Sequence, residues 1–342
     1  MRKKIIYILA VVIILVGVMT FVGYRMFYGS AVDKSFVVEL REGESYGQMI
    51  DKVKSGMDNH IAFDYYAKRI NLEQTIKPGV YEIKRGMTVI EVARMLKLGV
   101  VNTSRLVINN ARTPEALAAK IATQLPVSEE EMLRLLTDDA YAQELGFDSS
   151  EAMFAIFLPN TYEVNTHIGP RELVDYLHKE STKYWGGGDV KVCLDALTES
   201  TPLKSWYDVM VLASIVHEET KTADEMARIA GVYINRLNRG MKLQADPTVK
   251  YALGDPTLKR ILYEHLEVDS PYNTYKHVGL PPTPISMPDM VAIEAVLNYE
   301  HHDYLYFCAR PELDGRHNFA KTHAEHQRNA KAYHQAINKL NK

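Results

Sequence analysis

The chain is built around the segment Val209-Met210-Val211-Leu212-Ala213-Ser214-Ile215-Val216-His217-Glu218-Glu219-Thr220, an apolar helix that ends in two adjacent carboxylates. At 100° per residue, Leu212, Val216 and Glu219 share one stripe of this helix, whereas Glu218 points roughly a quarter-turn away. A carboxylate on the core-facing side loses solvation, so its pKa is expected to rise, as a general acid near neutral pH requires. The same pattern also fits a frayed helix end whose carboxylate is partly wet and paired with a Lys or Arg.

Length and charge leave room for two or three compact units and exclude some classes of function. The 342 residues carry a net charge of −3, which predicts no nucleic-acid-binding surface. The run Gly186-Gly187-Gly188 lacks a following Lys-Ser/Thr and is interpreted as a spacer. The only two cysteines, Cys193 and Cys308, fit either one disulfide outside the cytoplasm or two buried thiols.

The N-terminus predicts a single transmembrane helix. Residues 1–4 include three basic side chains, and residues 5–24 form an uncharged apolar run. At ~1.5 Å per residue this run spans ~30 Å, the thickness of the hydrocarbon core. The basic residues favour a cytoplasmic N-terminus. A cleaved signal peptide is the alternative, but the run is long for one, so we expect an uncleaved anchor with the rest of the chain outside the membrane.

The remaining chain predicts an α+β fold. The expected divisions are a linker over 25–34, a small α+β domain over 35–108, a mainly helical region over 109–200 and an α+β domain over 201–342. A strand is predicted at Phe36–Leu40, and a helix start at Thr113-Pro114. Near the C-terminus, 304–309 and 317–321 predict two paired strands, followed by a long helix.

Two further motifs lie in the last domain. Thr222-Ala223-Asp224-Glu225 has the pattern of a capping box. Asp246 is suited to a helix N-cap with Pro247 at the first helical position, so it is interpreted as structural rather than catalytic. The segment 270–282 alternates aromatic, amide and hydroxyl side chains before two prolines. Such a loop fits either a sugar-binding surface or a packed, turn-rich connection.

The sequence does not favour a metal site or a catalytic serine. A zinc helix needs a second His four residues after His217, and that position is Lys221. His301, His302, His323 and His326 could form a metal cluster elsewhere, but histidines on exposed helices and loops usually bind nothing, so no metal is predicted. Ser214 lacks a Gly-x-Ser-x-Gly elbow and lies mid-helix, where its hydroxyl is expected to bond the preceding turn.

Hydrolysing glycosidases generally use two carboxylates that flank the scissile bond. Glu218 and Glu219 diverge from one helix and cannot do so. A mechanism with one carboxylate remains open if the substrate itself supplies the nucleophile.

Several segments, collinear from about residue 36 to the end, resemble endolytic murein transglycosylases of the MltG or YceG-like family. They are Pro78-Gly79-Val80-Tyr81, Phe157-Leu158-Pro159-Asn160-Thr161-Tyr162, Ala213-Ser214-Ile215-Val216-His217-Glu218-Glu219-Thr220, Leu243-Gln244-Ala245-Asp246-Pro247-Thr248-Val249, Tyr272-Asn273-Thr274-Tyr275, Gly279-Leu280-Pro281-Pro282 and Tyr304-Leu305-Tyr306-Phe307. The resemblance implies a LysM-like domain over 35–108 and a catalytic domain over 201–342.

In that family the second Glu of an Ala-Ser-Ile-(Val/Ile)-Glu-x-Glu pattern is catalytic, and it matches Glu219. This chain has His217 in place of the first Glu, and Thr283 in place of the Gly after the double proline. The resemblance further implies that a glycan groove is lined by Gln244, Tyr272, Asn273 and Tyr275.

The implied activity is a peptidoglycan lyase that cleaves MurNAc-β-1,4-GlcNAc bonds to 1,6-anhydro-MurNAc ends, with Glu219 as acid and then base and no cofactor or metal. The family's proposed role is cutting nascent glycan strands at the bacterial cytoplasmic membrane, alongside the peptidoglycan synthases. A lysozyme-like muramidase and a non-catalytic glycan-binding scaffold are the alternatives.

Overall fold

Sixteen α-helices and six short strands occur in the part of the chain that the computed structural model describes, residues 2–41, 43–99, 103–109, 111–255, 258 and 261–340. The helices are α1 Arg2–Tyr28, α2 Tyr46–Lys54, α3 His60–Arg69, α4 Leu72–Thr75, α5 Val89–Leu98, α6 Pro114–Ala122, α7 Glu129–Leu136, α8 Asp139–Glu144, α9 Ser150–Met153, α10 Pro170–Gly186, α11 Gly188–Ser200, α12 Trp206–Glu219, α13 Ala223–Asn238, α14 Asp246–Ala252, α15 Met290–Leu297 and α16 His323–Leu340. The strands are β1 Phe36–Leu40, β2 Gly79–Ile83, β3 Thr103–Ile108, β4 Asn160–Asn165, β5 Tyr306–Ala309 and β6 His317–Ala320.

The strands pair as β1 with β2, β3 with β4, and β5 with β6, which confirms an α+β fold. The chain divides into two compact units, Met1–Ser104 with Glu163–Ile168, and Arg105–Tyr162 with Gly169–Lys342.

In the first unit, α1 runs through Tyr28, four residues beyond the predicted apolar run. Its segment Val11–Tyr28 is long and apolar enough to cross a membrane. The side chains of residues 1–10, including the basic cluster that predicted the orientation, lie outside the described residues. The C-terminal end of α1 places Met26 and Phe27 against the core of this unit.

The antiparallel pair β1–β2 runs from Phe36↔Ile83 to Leu40↔Gly79, and the predicted strand at Phe36–Leu40 is confirmed. Helices α2 and α5 both begin with capping boxes, from Ser45 to Gln48 and from Thr88 to Glu91. These local signals fix the helix starts because their side chains accept hydrogen bonds from backbone N–H groups that have no carbonyl acceptor in a preceding turn.

In the second unit, the predicted helix start at Thr113 is confirmed, with Pro114 at the first helical position. The glycine run is not a spacer, because α10 continues through Gly186 and α11 begins at Gly188. Two helices therefore follow each other with a single residue between them.

Helix α12 lies in the centre of this unit and packs against α13, α14 and α15. Every residue from Val209 to His217 is buried. The sequence predicted one apolar stripe on α12, but the buried surface extends around the whole helix. A helix that is apolar on all sides lies inside a core. As predicted, the Ser214 hydroxyl bonds the preceding turn, donating to the Val211 carbonyl at 2.7 Å. It also accepts from the Ile285 N–H at 3.0 Å, which ties the segment after the double proline to α12.

Neither side-chain cap predicted in this unit is made. The helix start after Thr222 is confirmed, but the capping box is absent: no side chain caps this end of α13, and the buried Glu225 carboxylate bonds His317 Nδ1 at 3.0 Å. Helix α14 begins at Asp246 itself, and the residue before it, Ala245, makes no side-chain cap. In each case the carboxylate that the sequence pattern assigns to the helix terminus bonds a side chain distant in sequence instead, His317 for Glu225 and Tyr275 for Asp246.

The two C-terminal strands are confirmed as an antiparallel pair with the register Tyr306↔Ala320 to Ala309↔His317. The first of them begins two residues later than predicted. The long helix α16 follows and packs against both strands. This arrangement brings β5 and the start of α16 to the end of α12.

Candidate active site

A cavity of about 350 Å³ lies where the C-terminus of α12 meets α13, α14, β5 and α16. Its lining consists of Glu219, Tyr233, Arg236, Leu243, Gln244, Asp246, Tyr275, Tyr306, Phe307, His323 and His326. Three of the sequence-predicted site residues, Glu219, Gln244 and Tyr275, are brought together here. Tyr272 and Asn273 are not.

Glu219 is partly exposed as a residue, but its Oε2 is buried and has no hydrogen-bond partner. Two effects raise the pKa of this carboxyl to about 7: burial, which is the larger, and the negative charge of Asp246. A hydrogen bond from Tyr233 and the charge of Lys250 oppose that rise. Glu219 is also the last residue of α12, where the partial negative charge of the helix end disfavours a carboxylate. Near neutral pH, a large fraction of Glu219 therefore carries a proton.

Asp246 faces the same cavity, and its Oδ1 accepts a hydrogen bond of 2.6 Å from the Tyr275 hydroxyl. Burial and this bond raise the pKa of Tyr275 far above its usual range, so its hydroxyl remains a donor. The cavity thus holds two carboxylic groups in different environments. The sequence interpretation gave Asp246 a structural role as a helix N-cap; Asp246 does not make that cap and lines this cavity instead.

Gln244 is held in the left-handed backbone region, with φ of +52°, which is uncommon for a residue with a side chain. Its N–H donates to the Thr274 carbonyl at 3.1 Å, and its Oε1 accepts from Arg236 Nη2. The remaining Arg236 donors bond the Lys242 carbonyl at 2.9 Å and the Leu305 carbonyl at 3.1 Å. The buried Arg236 guanidinium, which is itself part of the cavity lining, therefore fixes the orientation of Gln244.

Asn273 is fully buried and cannot contact a ligand in this cavity. Its Nδ2 donates to the Leu266 carbonyl at 2.8 Å and to the Val268 carbonyl at 2.9 Å. The Tyr272 hydroxyl pairs with Thr283 at 2.7 Å, outside the cavity. The loop over 270–282 is thus partly a packed connection, and Tyr275 is the member that reaches the site.

Glu218 and His217 point elsewhere. Glu218 pairs with Arg112 on the rim of a different cavity of about 420 Å³. His217 is buried, and its Nδ1 lies 3.3 Å from Oδ2 of Asp289, the N-cap of α15. The Lys221 ammonium, which occupies the position of a zinc-ligating His, donates to the His217 carbonyl at 3.0 Å. Neither side chain lines the Glu219 cavity.

Sequence reasoning missed Tyr233, Arg236, Tyr306 and Phe307 as cavity residues. The only local signal was the spacing of Tyr233 and Arg236, which puts both on one face of α13. The sequence suggests for His326 only the role of a metal ligand, but its ring stacks on Tyr306 with ring centres 5.3 Å apart. Burial lowers the pKa of His326. Within the described part of the chain, no group of three or more His, Cys, Asp or Glu is arranged to hold a metal ion.

The raised pKa of Glu219 predicts a pH-dependent change in stability. Between the ordinary value of 4.5 and about 7, the folded chain binds a proton that the unfolded chain has lost. The free energy of unfolding therefore falls as pH rises through this window. We expect Glu219→Gln to be more stable than the parent by about 3 kcal/mol above pH ~8, and equally stable below pH ~4. Denaturant unfolding of the full chain in detergent, for the parent and for Glu219→Gln, measures this difference. If the two proteins had the same free energy of unfolding above pH ~8 as well as below pH ~4, the buried environment of the carboxyl would be contradicted.

Comparisons with known proteins match the chain over most of its length. The model of the YceG-like family matches residues 38–332. A Bacillus subtilis (strain 168) protein named endolytic murein transglycosylase is 29% identical over 287 residues, which cover 80% of this chain and 77% of that protein. A protein of the same name from Streptococcus pneumoniae R6 is 26% identical over 306 residues, but this chain spans only 54% of its length.

Among solved structures, a YceG-like protein from Listeria monocytogenes, determined by crystallography at 2.6 Å, superposes with a TM-score of 0.55 and 28% identity. The alignment covers 86% of this chain and 99% of the Listeria chain. Because the family match spans both units and the structural match agrees with it, the chain belongs to the YceG-like family.

Proposed function

We propose that this chain is an endolytic lytic transglycosylase that cleaves MurNAc-β-1,4-GlcNAc bonds of peptidoglycan and leaves 1,6-anhydro-MurNAc ends. The observation that carries the proposal is the Glu219 carboxyl, which has an unpartnered Oε2 and a pKa raised to about 7 inside a cavity. A group with this pKa can both donate and accept a proton near neutral pH. The names of the Bacillus and Streptococcus relatives support the reaction class.

In the proposed reaction, protonated Glu219 donates to the glycosidic oxygen as the bond from that oxygen to MurNAc C1 breaks. The Glu219 carboxylate then accepts the proton of the MurNAc C6 hydroxyl, whose oxygen bonds to C1. Glu219 ends protonated, as it began, and no water is consumed. The negative charge of Asp246 raises the pKa of Glu219 and so keeps a larger fraction of it protonated at the start of the reaction.

Hydrolysis is the second candidate, and the position of Asp246 favours it. Hydrolysing glycosidases use two carboxylates, and Glu219 and Asp246 line one cavity. However, the Asp246 oxygen Oδ1 is engaged by the Tyr275 hydroxyl at 2.6 Å. We therefore assign Asp246 an electrostatic role and retain the lyase as the leading proposal.

Product analysis separates these candidates. We expect the full chain in detergent to convert purified sacculi into muropeptides with anhydro ends, without incorporating ¹⁸O from labelled water. Mass spectrometry of the digest reads both features. Reducing ends that carry ¹⁸O would establish a muramidase instead, and glycan strands bound but unshortened would establish a non-catalytic scaffold.

The proposed cellular arrangement follows from the N-terminal helix. We place residues 5–24 in the bacterial cytoplasmic membrane, with residues 1–4 inside the cell and the catalytic domain over 201–342 outside. The LysM-like domain over 35–108 and the helical region over 109–200 then lie between anchor and active site in sequence. In this position the enzyme acts on nascent strands beside the peptidoglycan synthases. The apolar character of Val11–Tyr28 supports the anchor.

A further inference from the structure

A second cavity of about 620 Å³ adjoins the candidate active site. The two cavities share Asp246, Tyr275 and His326 in their linings. The second cavity is additionally lined by the aromatic side chains of Tyr263, Tyr333 and His334. Both volumes fall in the range of about 300–1,000 Å³ that ligand sites occupy. A polymer that passes Glu219 could therefore continue into the second cavity without leaving the protein surface.

Tyr263 is unusual among the residues of this cavity because 92% of its surface is exposed. An exposed aromatic ring gains little from packing within its own chain. Its flat apolar face can instead cover the C–H face of a sugar ring, while the hydroxyl remains in water. The side chain is thus available for a ligand rather than required by the core.

The backbone beneath Tyr263 is held in place. Tyr263–Glu267 forms a short 3-10 helix. The buried Asn273 side chain clamps it by donating to the carbonyls of Leu266 and Val268, at 2.8 and 2.9 Å. Asn273 therefore acts as a positioning residue for this cavity. A pre-organised support lowers the entropy lost when a ligand binds.

His326 lies at the junction of the two cavities, and its Nδ1 is buried without a hydrogen-bond partner. A buried polar atom without a partner is costly unless a ligand or water completes it. The ring is fixed by stacking on Tyr306. A hydroxyl or amide group of a sugar at the junction would satisfy Nδ1.

We propose that the second cavity is a glycan subsite that holds the strand on one side of the cleaved bond. In this subsite Tyr263 stacks on a sugar ring and His326 hydrogen-bonds the sugar at the junction. The occupant is the same polysaccharide strand, because the cavity is continuous with the Glu219 cavity and, apart from the shared Asp246, is lined mainly by aromatic and aliphatic side chains. This inference rests on the proposed function and deepens it, since a subsite on the strand is what internal cleavage requires.

The test is binding of peptide-free glycan strands, fractionated by length, to the full chain in detergent carrying Glu219→Gln to prevent turnover. We expect affinity to increase with strand length, and Tyr263→Ala to lose roughly two- to tenfold for long strands only. Tyr263→Phe keeps the ring and should retain binding. Val192→Ala removes an exposed apolar side chain on α11 and should change nothing.

Equal affinity for all lengths, or an equal loss for short and long strands in Tyr263→Ala, would overturn the subsite. Failure of the proposed function gives a different result. In that case the parent enzyme leaves sacculi without new anhydro ends, whereas failure of the subsite alone leaves the product ends unchanged.

Discussion

Replacing Glu219 by glutamine is expected to lower the formation of anhydro-ended muropeptides by about 10²–10⁴-fold, the usual contribution of a general acid–base group. Glutamine keeps the shape of the side chain but can neither donate nor accept the proton that the reaction moves. The measurement is the initial rate of anhydro-muropeptide release from sacculi, followed by mass spectrometry, for the full chain in detergent.

Glu218→Gln is the matched control, because it makes the same chemical change one residue earlier on the same helix. Glu218 pairs with Arg112 at another cavity, so its loss should leave the rate within about twofold of the parent, as expected for a partly exposed ion pair. Circular dichroism of both variants checks that α12 is intact. A fully active Glu219→Gln protein, or an inactive Glu218→Gln protein, would contradict the assignment of Glu219 as the general acid and base.

His217 no longer weakens the assignment of Glu219. It stands where the family pattern has a Glu, which raised the question of whether a catalytic group had been lost. In the structure its ring faces Asp289 at the start of α15, and it does not line the Glu219 cavity. The substitution therefore alters a contact between two core helices and leaves the cavity around Glu219 in place.

Much of the fold was predictable because its signals are local. Helix starts at Ser45, Thr88 and Thr113 each follow from a side chain that accepts from a backbone N–H three residues later. The strand at Phe36–Leu40 follows from its apolar pattern. Such features depend on neighbours within one helical turn, so a single sequence contains the information.

The site was only partly predictable because its key contacts join residues distant in sequence. Asp246 has a local cap pattern, yet its partner is Tyr275, 29 residues later. Glu225 behaves likewise, since His317 lies 92 residues away. In both cases, pairing in a partly desolvated setting outweighs a helix cap worth about 1 kcal/mol. Asn273 is the opposite case. Its residue type suggested sugar binding, but its side-chain amide donates to the backbone carbonyls of Leu266 and Val268.

The pH dependence of the reaction should respond in opposite directions to two changes beside Glu219. The reaction begins with the protonated acid, so kcat/KM should fall as pH rises above about 7, the pKa of Glu219. The charge of Asp246 raises that pKa, whereas the hydrogen bond from Tyr233 lowers it. Asp246→Asn should therefore move the alkaline limb to lower pH, and Tyr233→Phe should move it to higher pH.

The size and shape of the change distinguish this electrostatic role from a direct one. If Asp246 acts only through the pKa of Glu219, Asp246→Asn lowers the rate near pH ~7.5 by roughly two- to tenfold, since one pKa unit is tenfold. At low pH, where Glu219 is protonated in both proteins, the rates converge. If Asp246 is instead the base or nucleophile of a hydrolase, its loss lowers the rate by about 10²-fold or more at every pH. A parallel drop across the profile, with ¹⁸O-labelled reducing ends from the parent, would replace the lyase by a muramidase. Convergence at low pH, together with the opposite shift in Tyr233→Phe, assigns the proton transfers to Glu219 alone.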